Sequence, residues 1–129
     1  MSRTILVVDD EPNARSLLRL ILVRAGFEVI VAQDGYEALE EVQRMIPAAV
    51  VLDIMMPGID GFEVCEKMRN DQKTANLPII MLSARADQES ISRGFSVGAS
   101  KYITKPVVPE LLVQEIREVL GITDEIKSS

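Results

Sequence analysis

Histidine and tryptophan are absent from this chain of 129 residues, and cysteine occurs once, as Cys65. Without histidine there can be no serine triad, no imidazole general base and no imidazole-bound zinc. A lone cysteine closes no internal disulfide, so a reducing compartment, the cytoplasm, is expected. Lys and Arg number 14 against 20 Asp and Glu, a formal net charge of -6. The basic residues form no cluster, which argues against direct nucleic-acid contact through the chain's own surface. The N-terminus has no cationic region followed by a long apolar stretch, so no signal peptide is read there. No apolar run reaches the ~20 residues of a membrane span. Neither a repeat nor a low-complexity segment interrupts the chain. What remains is the length of one domain with 47% apolar residues, enough for a full core.

Two apolar patterns alternate. Short runs rich in β-branched residues read as strands: Thr4 to Val8, Glu28 to Val31, Ala48 to Leu52, Pro78 to Leu82 and Lys101 to Ile103. Stretches of helical period separate them. Ala14, Leu17, Leu18, Ile21, Leu22 and Ala25 follow one helix face, which Gly26 ends. Asp60 followed by Glu63 has the form of a capping box, with Phe62, Cys65 and Met68 beneath that helix. Pro109 suits a first helical turn, with Leu112, Ile116 and Val119 facing inward. Strand-helix alternation repeated five times implies right-handed crossovers and a parallel sheet covered on both faces. Residues 1–121 read as one domain and 122–129 as a polar tail or the start of a linker.

Charge collects where the apolar runs stop. I-L-V-V-D-D ends in Asp9 and Asp10, V-V-L-D ends in Asp53, and Y-I-T-K-P contains Lys105. In an open parallel α/β sheet the carboxyl edge of the strands is where ligands bind. Like charges held there need a neutraliser. Oxygen ligands beside an ammonium suit a hard divalent cation, with phosphate as a second guest.

The ordered motifs V-V-D-D-E-P (7–12), V-L-D-I-M-M-P-G-I-D-G-F-E (51–63), M-L-S-A-R (81–85) and G-A-S-K-Y-I-T-K-P (98–106) carry a resemblance. Over about residues 3 to 121 the chain resembles a response-regulator receiver domain of two-component signalling systems. The resemblance implies a doubly wound, flavodoxin-like α/β fold. Its five-stranded parallel sheet has order 2-1-3-4-5 and is flanked by five helices. It also implies a phosphorylation-activated switch, fed by a histidine kinase or histidine phosphotransfer protein, dependent on Mg2+ or Mn2+, that catalyses its own phosphorylation and dephosphorylation.

By that resemblance Asp53 is the phosphoryl acceptor, since a carboxylate can attack phosphorus and form an acyl phosphate. Its bland alternative is a helix-capping or turn Asp before M-P-G. Asp10 and Asp53 would bind the metal, Asp9 would do so through water, and Met55 by its backbone carbonyl. The alternative for Asp9 and Asp10 is an N-cap pair for the helix at Pro12. Lys105 would bridge Asp53 and the phosphoryl oxygens, with Lys105-Pro106 cis, as X-Pro bonds permit. Ser83 would hydrogen-bond the phosphoryl group, helped by the Ala84 N–H. Tyr102 matches the switch aromatic that moves with Ser83. Met55 and Arg85 flank the path of the hydrolytic water. A haloacid-dehalogenase phosphatase would need D-x-D after the first strand, and here the pair is adjacent. A flavodoxin would need a hydroxyl-rich phosphate loop and aromatics to sandwich a flavin. A degenerate receiver used as a scaffold would not need the complete acidic set.

The output face implied is that of the fourth helix, fifth strand and fifth helix, meeting an effector or, on phosphorylation, a second copy. Regulators with winged-helix output often carry acids at 100 and 101 and arginine at 115. Here Ser100, Lys101 and Glu115 stand there, so that salt-bridged pairing is not expected. Ile91, Val97 and Leu111 suggest an apolar contact instead, although Ile91 could simply be core, paired with Phe95.

Overall fold

A run of β-branched residues buried on both faces has one low-energy home, an interior strand of a parallel sheet. The computed structural model, which describes residues 3–122, places five strands in the order β2-β1-β3-β4-β5, with the buried runs β1, β3 and β4 inside and the partly exposed β2 and β5 at the edges. They are β1 Thr4–Val8, β2 Glu28–Ala32, β3 Ala49–Asp53, β4 Ile79–Ser83 and β5 Lys101–Thr104. The helices between them are α1 Pro12–Arg24, α2 Gly35–Arg44, α3 Gly61–Arg69, α4 Gln88–Ser96 and α5 Pro109–Leu120. All pairings are parallel. The doubly wound architecture expected from the alternation is the one observed. The tail expected over 122–129 lies outside the described residues except for Ile122.

Alternation along each strand divides the core into two layers. Leu6, Val8, Val50, Leu52, Ile79 and Met81 face α2 and α3. Ile5, Val7, Val51, Ile80 and Leu82 face α1 and α5. Every residue of β3 and β4 is buried, which makes these strands the rigid centre from which Asp53 and Ser83 project.

Caps fix where the helices begin. Asp60 accepts from the Glu63 N–H at 2.9 Å, as the capping-box spacing predicted. Phe62, Cys65 and Met68 are buried beneath α3. Gly26 has φ +99, a left-handed conformation that ends α1 without a Cβ penalty. The inner face of α1 is narrower than its sequence suggests. Leu18 and Leu22 are buried, whereas Leu17, about 100° around the helix from Leu18, is 57% exposed.

Helix α4 is anchored differently. Its buried residues are Ser90 and Gly94, and Gly94 lies against the Tyr102 ring. Phe95 points outward, so the expected core pair of Ile91 with Phe95 does not form. Polar contacts tie this helix down instead. Asp87 caps it through the Ser90 N–H at 3.0 Å. The Arg93 guanidinium lies 4.2 Å from the centre of the Phe62 ring. Just past its end, Arg69 donates to the Gly98 carbonyl at 2.9 Å. Among the described residues no helix is long and apolar enough to cross a membrane.

Candidate functional site

Strand register brings the polar ends together. Val8 pairs with Leu52, so Asp9 emerges beside Asp53. Ser83 pairs with Thr104, and the Lys105 N–H donates to the Ser83 carbonyl at 2.8 Å. The Lys105-Pro106 bond is cis, as expected. Gly61 completes the floor: a Cβ there would lie 2.7 Å from the Asp53 carbonyl oxygen, so only glycine lets α3 start this close to β3.

Carboxylate oxygens of Asp9, Asp10 and Asp53 lie within 4.8 Å of one another. Asp9 and Asp53 are buried and Asp10 is exposed. The Lys105 ammonium stands 3.6 Å from Asp9 Oδ2 and 3.6 Å from Asp53 Oδ2. Those distances make ion pairs but not hydrogen bonds, which leaves the ammonium's donors free for another oxygen. Asp9 Oδ1 accepts from the Glu11 N–H at 2.9 Å, while the buried Asp9 Oδ2 has no hydrogen-bond partner. A buried anionic oxygen without a donor is costly. Burial, reinforced by the charge of Asp9, raises the Asp53 pKa from 3.8 to about 6; Lys105 and the Met55 N–H pull it down, and Asp10 pushes it up.

These residues fit a hard divalent cation. The donors are carboxylate oxygens, three are within reach of one centre, and one is buried and unpartnered. No nitrogen or sulfur ligand completes the cluster, which suits Mg2+ or Mn2+ better than zinc.

Helix capping does not account for the acids, although Asp53 Oδ1 also accepts from the Met55 N–H at 3.3 Å, as a turn Asp would. The N-cap of α1 is Glu11, which accepts from the Ala14 N–H at 2.7 Å, so neither Asp9 nor Asp10 caps that helix. The cap of α3 is Asp60, not Asp53. Lys105 is not a solvated lysine but is held between two acids. Ser83 is buried, and its Oγ accepts from the Arg85 N–H at 3.0 Å. The half-buried Tyr102 donates its hydroxyl to the Arg85 carbonyl at 2.7 Å. Met55 and Arg85 have exposed side chains on the rim, and Arg85 pairs with Asp87 at 3.4 Å. Sequence reasoning missed two supports of the acid pair: the cap Glu11, and Arg15, whose Nη1 donates to the Asp9 carbonyl at 2.9 Å. The signal for Glu11 was its place immediately before the helix-starting Pro12.

The family model for the response regulator receiver domain matches residues 5–117. The chain belongs to this receiver-domain family of two-component signalling. It is 37% identical over 95% of its length to the DNA-binding dual master transcriptional regulator RpaA of a Synechocystis strain. It is 40% identical over 93% of its length to the alkaline phosphatase synthesis transcriptional regulatory protein PhoP of Bacillus subtilis. The chain spans about half of these relatives, 51% and 49% of their lengths. Among solved structures it superposes on a putative response regulator of Chloroflexus aurantiacus with a TM-score of 0.90, 38% identity and coverage of 94% and 99% of the two chains. The chemotaxis protein CheY4 of Vibrio cholerae gives 0.88, 33% identity, and coverage of 92% and 99%. The expectation of no direct nucleic-acid contact gains no support from these relatives, since RpaA is named as DNA-binding.

The raised Asp53 pKa has a consequence for stability. The folded state disfavours the ionised carboxylate, so this group is most favourable to folding below about pH 4, where both states hold the proton. Its contribution is lost as pH rises through about 6. Urea unfolding of the metal-free protein, compared at each pH with Asp53→Asn, reads this directly. The variant should gain stability relative to the parent between pH 4 and 7, and magnesium should narrow the gap. A difference independent of pH would show that Asp53 is not destabilised by burial.

Proposed function

We propose that the chain is a phosphorylation-operated signalling switch in the cytoplasm, with Asp53 as phosphoryl acceptor and a phosphohistidine on a histidine kinase or phosphotransfer protein as donor. The observation that carries this reading is the buried Asp53 carboxylate, flanked by Asp9 and Asp10 and held 3.6 Å from Lys105. An Asp53 oxygen forms a bond to phosphorus while the bond from phosphorus to the histidine nitrogen breaks. The product is an acyl phosphate. In hydrolysis a water attacks the phosphorus, the bond to Asp53 breaks, and the carboxylate and inorganic phosphate are released.

Asp9 and Asp10, with the Met55 carbonyl, would hold Mg2+ or Mn2+. Such an ion draws off charge from the transferring phosphoryl oxygens and lets them approach the acids. Lys105 needs only a small movement from the carboxylates to a phosphoryl oxygen. Ser83 Oγ keeps its hydrogen available, because in its bond with Arg85 it accepts. That hydroxyl and the Ala84 N–H would take up the remaining oxygens. Tyr102 is joined to the same segment through Arg85, so a shift of Ser83 is felt at the β5 surface. Intact mass after incubation with a small acyl-phosphate donor and magnesium tests the assignment. One phosphate should add, Asp53→Ala should abolish it, and Asp10→Asn should slow it and raise the magnesium required. Labelling that survives Asp53→Ala would sink the reading.

The rim sets the lifetime of the acyl phosphate. Met55 is apolar and 57% exposed, and Arg85 is bulky; both flank the approach of water. A double change, Met55→Asn with Arg85→Glu, should shorten the half-life of the labelled protein. Decay that is unchanged or slower would refute the gating.

The output face also has a chemical character. Lys101 pairs with Glu115 at 3.1 Å and with Glu118, so the reversed charges are consumed inside the chain. Leu111 is 41% exposed and Phe95 48% exposed, whereas Ile91 and Val97 are half-buried. The apolar contact expected here therefore rests on Leu111 and Phe95. Phosphorylation should promote self-association or effector docking that persists at high salt and that Leu111→Glu with Phe95→Glu blocks. Sedimentation at low and high salt checks this; association that vanishes at high salt would count against it.

A further inference from the structure

We propose that Arg15 is a positioning residue for the acid pair: its guanidinium fixes the peptide that joins Asp9 to Asp10 and so makes two sequence neighbours converge on one centre. The inference rests on the reading of this site as one for a divalent cation and a phosphoryl group. In a strand, adjacent side chains point to opposite faces. Asp9 and Asp10 nevertheless both bring an oxygen within 4.8 Å of the same group of carboxylates. Both lie just past Val8, the last residue of β1, where the chain leaves the strand and the two carboxylates can converge. The carbonyl of the peptide between them belongs to Asp9, and Arg15 Nη1 donates to it at 2.9 Å.

Arg15 is well placed to act as a fixed post. Its own N–H donates to the Glu11 carbonyl at 3.0 Å, which locks its backbone into the first turn of α1. Its half-buried side chain then folds back over the start of the helix to the β1 end. The planar guanidinium holds a carbonyl with less rotational freedom than an ammonium would. The other atoms of Asp9 are tied as well. Its N–H donates to the Ala32 carbonyl at 3.2 Å, and Oδ1 accepts from the Glu11 N–H at 2.9 Å. With main-chain N–H, carbonyl and Oδ1 all engaged, Oδ2 alone is left free, and it is the oxygen that faces Lys105. Arg15 closes the one bond in this set that governs the direction of both carboxylates. Partners of this kind, which touch ligands rather than the ion, typically change metal affinity by about 10- to 100-fold.

Charge and position make opposite claims about Arg15, so the sign of one measurement decides. A nearby guanidinium repels a cation, and by electrostatics alone its removal should tighten magnesium binding. If Arg15 positions the acids, its removal should weaken binding. The experiment is a magnesium titration of the unphosphorylated protein, followed by calorimetry or by the Asp10 and Met55 amide signals, with thermal unfolding of each variant alongside. Arg15→Met should weaken binding by about tenfold. Arg15→Lys keeps the charge and a donor but not the planar fork, and should fall between Arg15→Met and the parent. Tighter or unchanged binding in Arg15→Met overturns the inference, as does an effect confined to unfolding temperature. Should Arg15→Met not fold, Arg15→Lys decides: affinity equal to the parent overturns the inference, weaker affinity supports it. Asp10→Asn in the same titration separates the two levels. If Asp10→Asn loses affinity and the Arg15 variants keep it, only the role of Arg15 is wrong; if Asp10→Asn binds magnesium like the parent, the site reading itself fails.

Discussion

Three carboxylates held against one ammonium at the edge of a dry sheet set the terms for the rest of this molecule. Asp9 and Asp53 are nearly removed from water, and the charge of Asp9 adds to the burial that penalises the charge of Asp53. A flexible loop would relieve such crowding by moving apart. Here the acids cannot separate, because each follows directly from a strand that is buried and paired on both sides. The β1, β3 and β4 core thus does more than stabilise a fold. It maintains an electrostatic imbalance that a divalent cation can relieve.

The surrounding shell converts that imbalance into direction. Glu11 and Arg15 hold Asp9 from the helix side, the Met55 N–H holds Asp53 at 3.3 Å, and Ser83 is engaged by Arg85. Each uses a backbone group on at least one side of the bond. Backbone partners do not change rotamer, so the reacting oxygens are oriented before any ligand arrives. Lys105 is the exception: its long stem, paired with Asp9 and Asp53 at 3.6 Å, is free to follow a change of charge between them.

Much of this was legible in the sequence, for local reasons. Strands bounded by Gly, Pro and acids stand out when both faces are buried, because the apolar run is then continuous. Asp53, Asp9, Asp10, Lys105, Ser83 and Tyr102 were readable because each ends, follows or occupies such a run. The cis bond before Pro106 was also anticipated. What escaped were contacts that depend on which way a side chain turns. Leu17 looked as inward as Leu18 because apolar residues occupy two adjacent faces of α1, and only packing selects one. Phe95 looked like core beneath Ile91, yet it is Gly94 that meets Tyr102, which turns Phe95 outward. Arg15 and Arg69 did not stand out, since no local pattern announces a guanidinium folding back onto a distant carbonyl.

The anchoring of α4 has an implication for how the domain opens. Local unfolding is cheapest where little apolar surface is buried. Helix α3 buries five residues, including Phe62, Val64 and Met68, whereas α4 buries Ser90 and Gly94. What binds α4 to its neighbours is Arg93 over the Phe62 ring, Gly94 against Tyr102 and the Arg69 contact with Gly98 just past Ser96. The amides of α4 should consequently exchange with solvent more readily than those of α3, so the helix beside Tyr102 has a lower threshold for rearrangement than the helix that starts beneath Asp53.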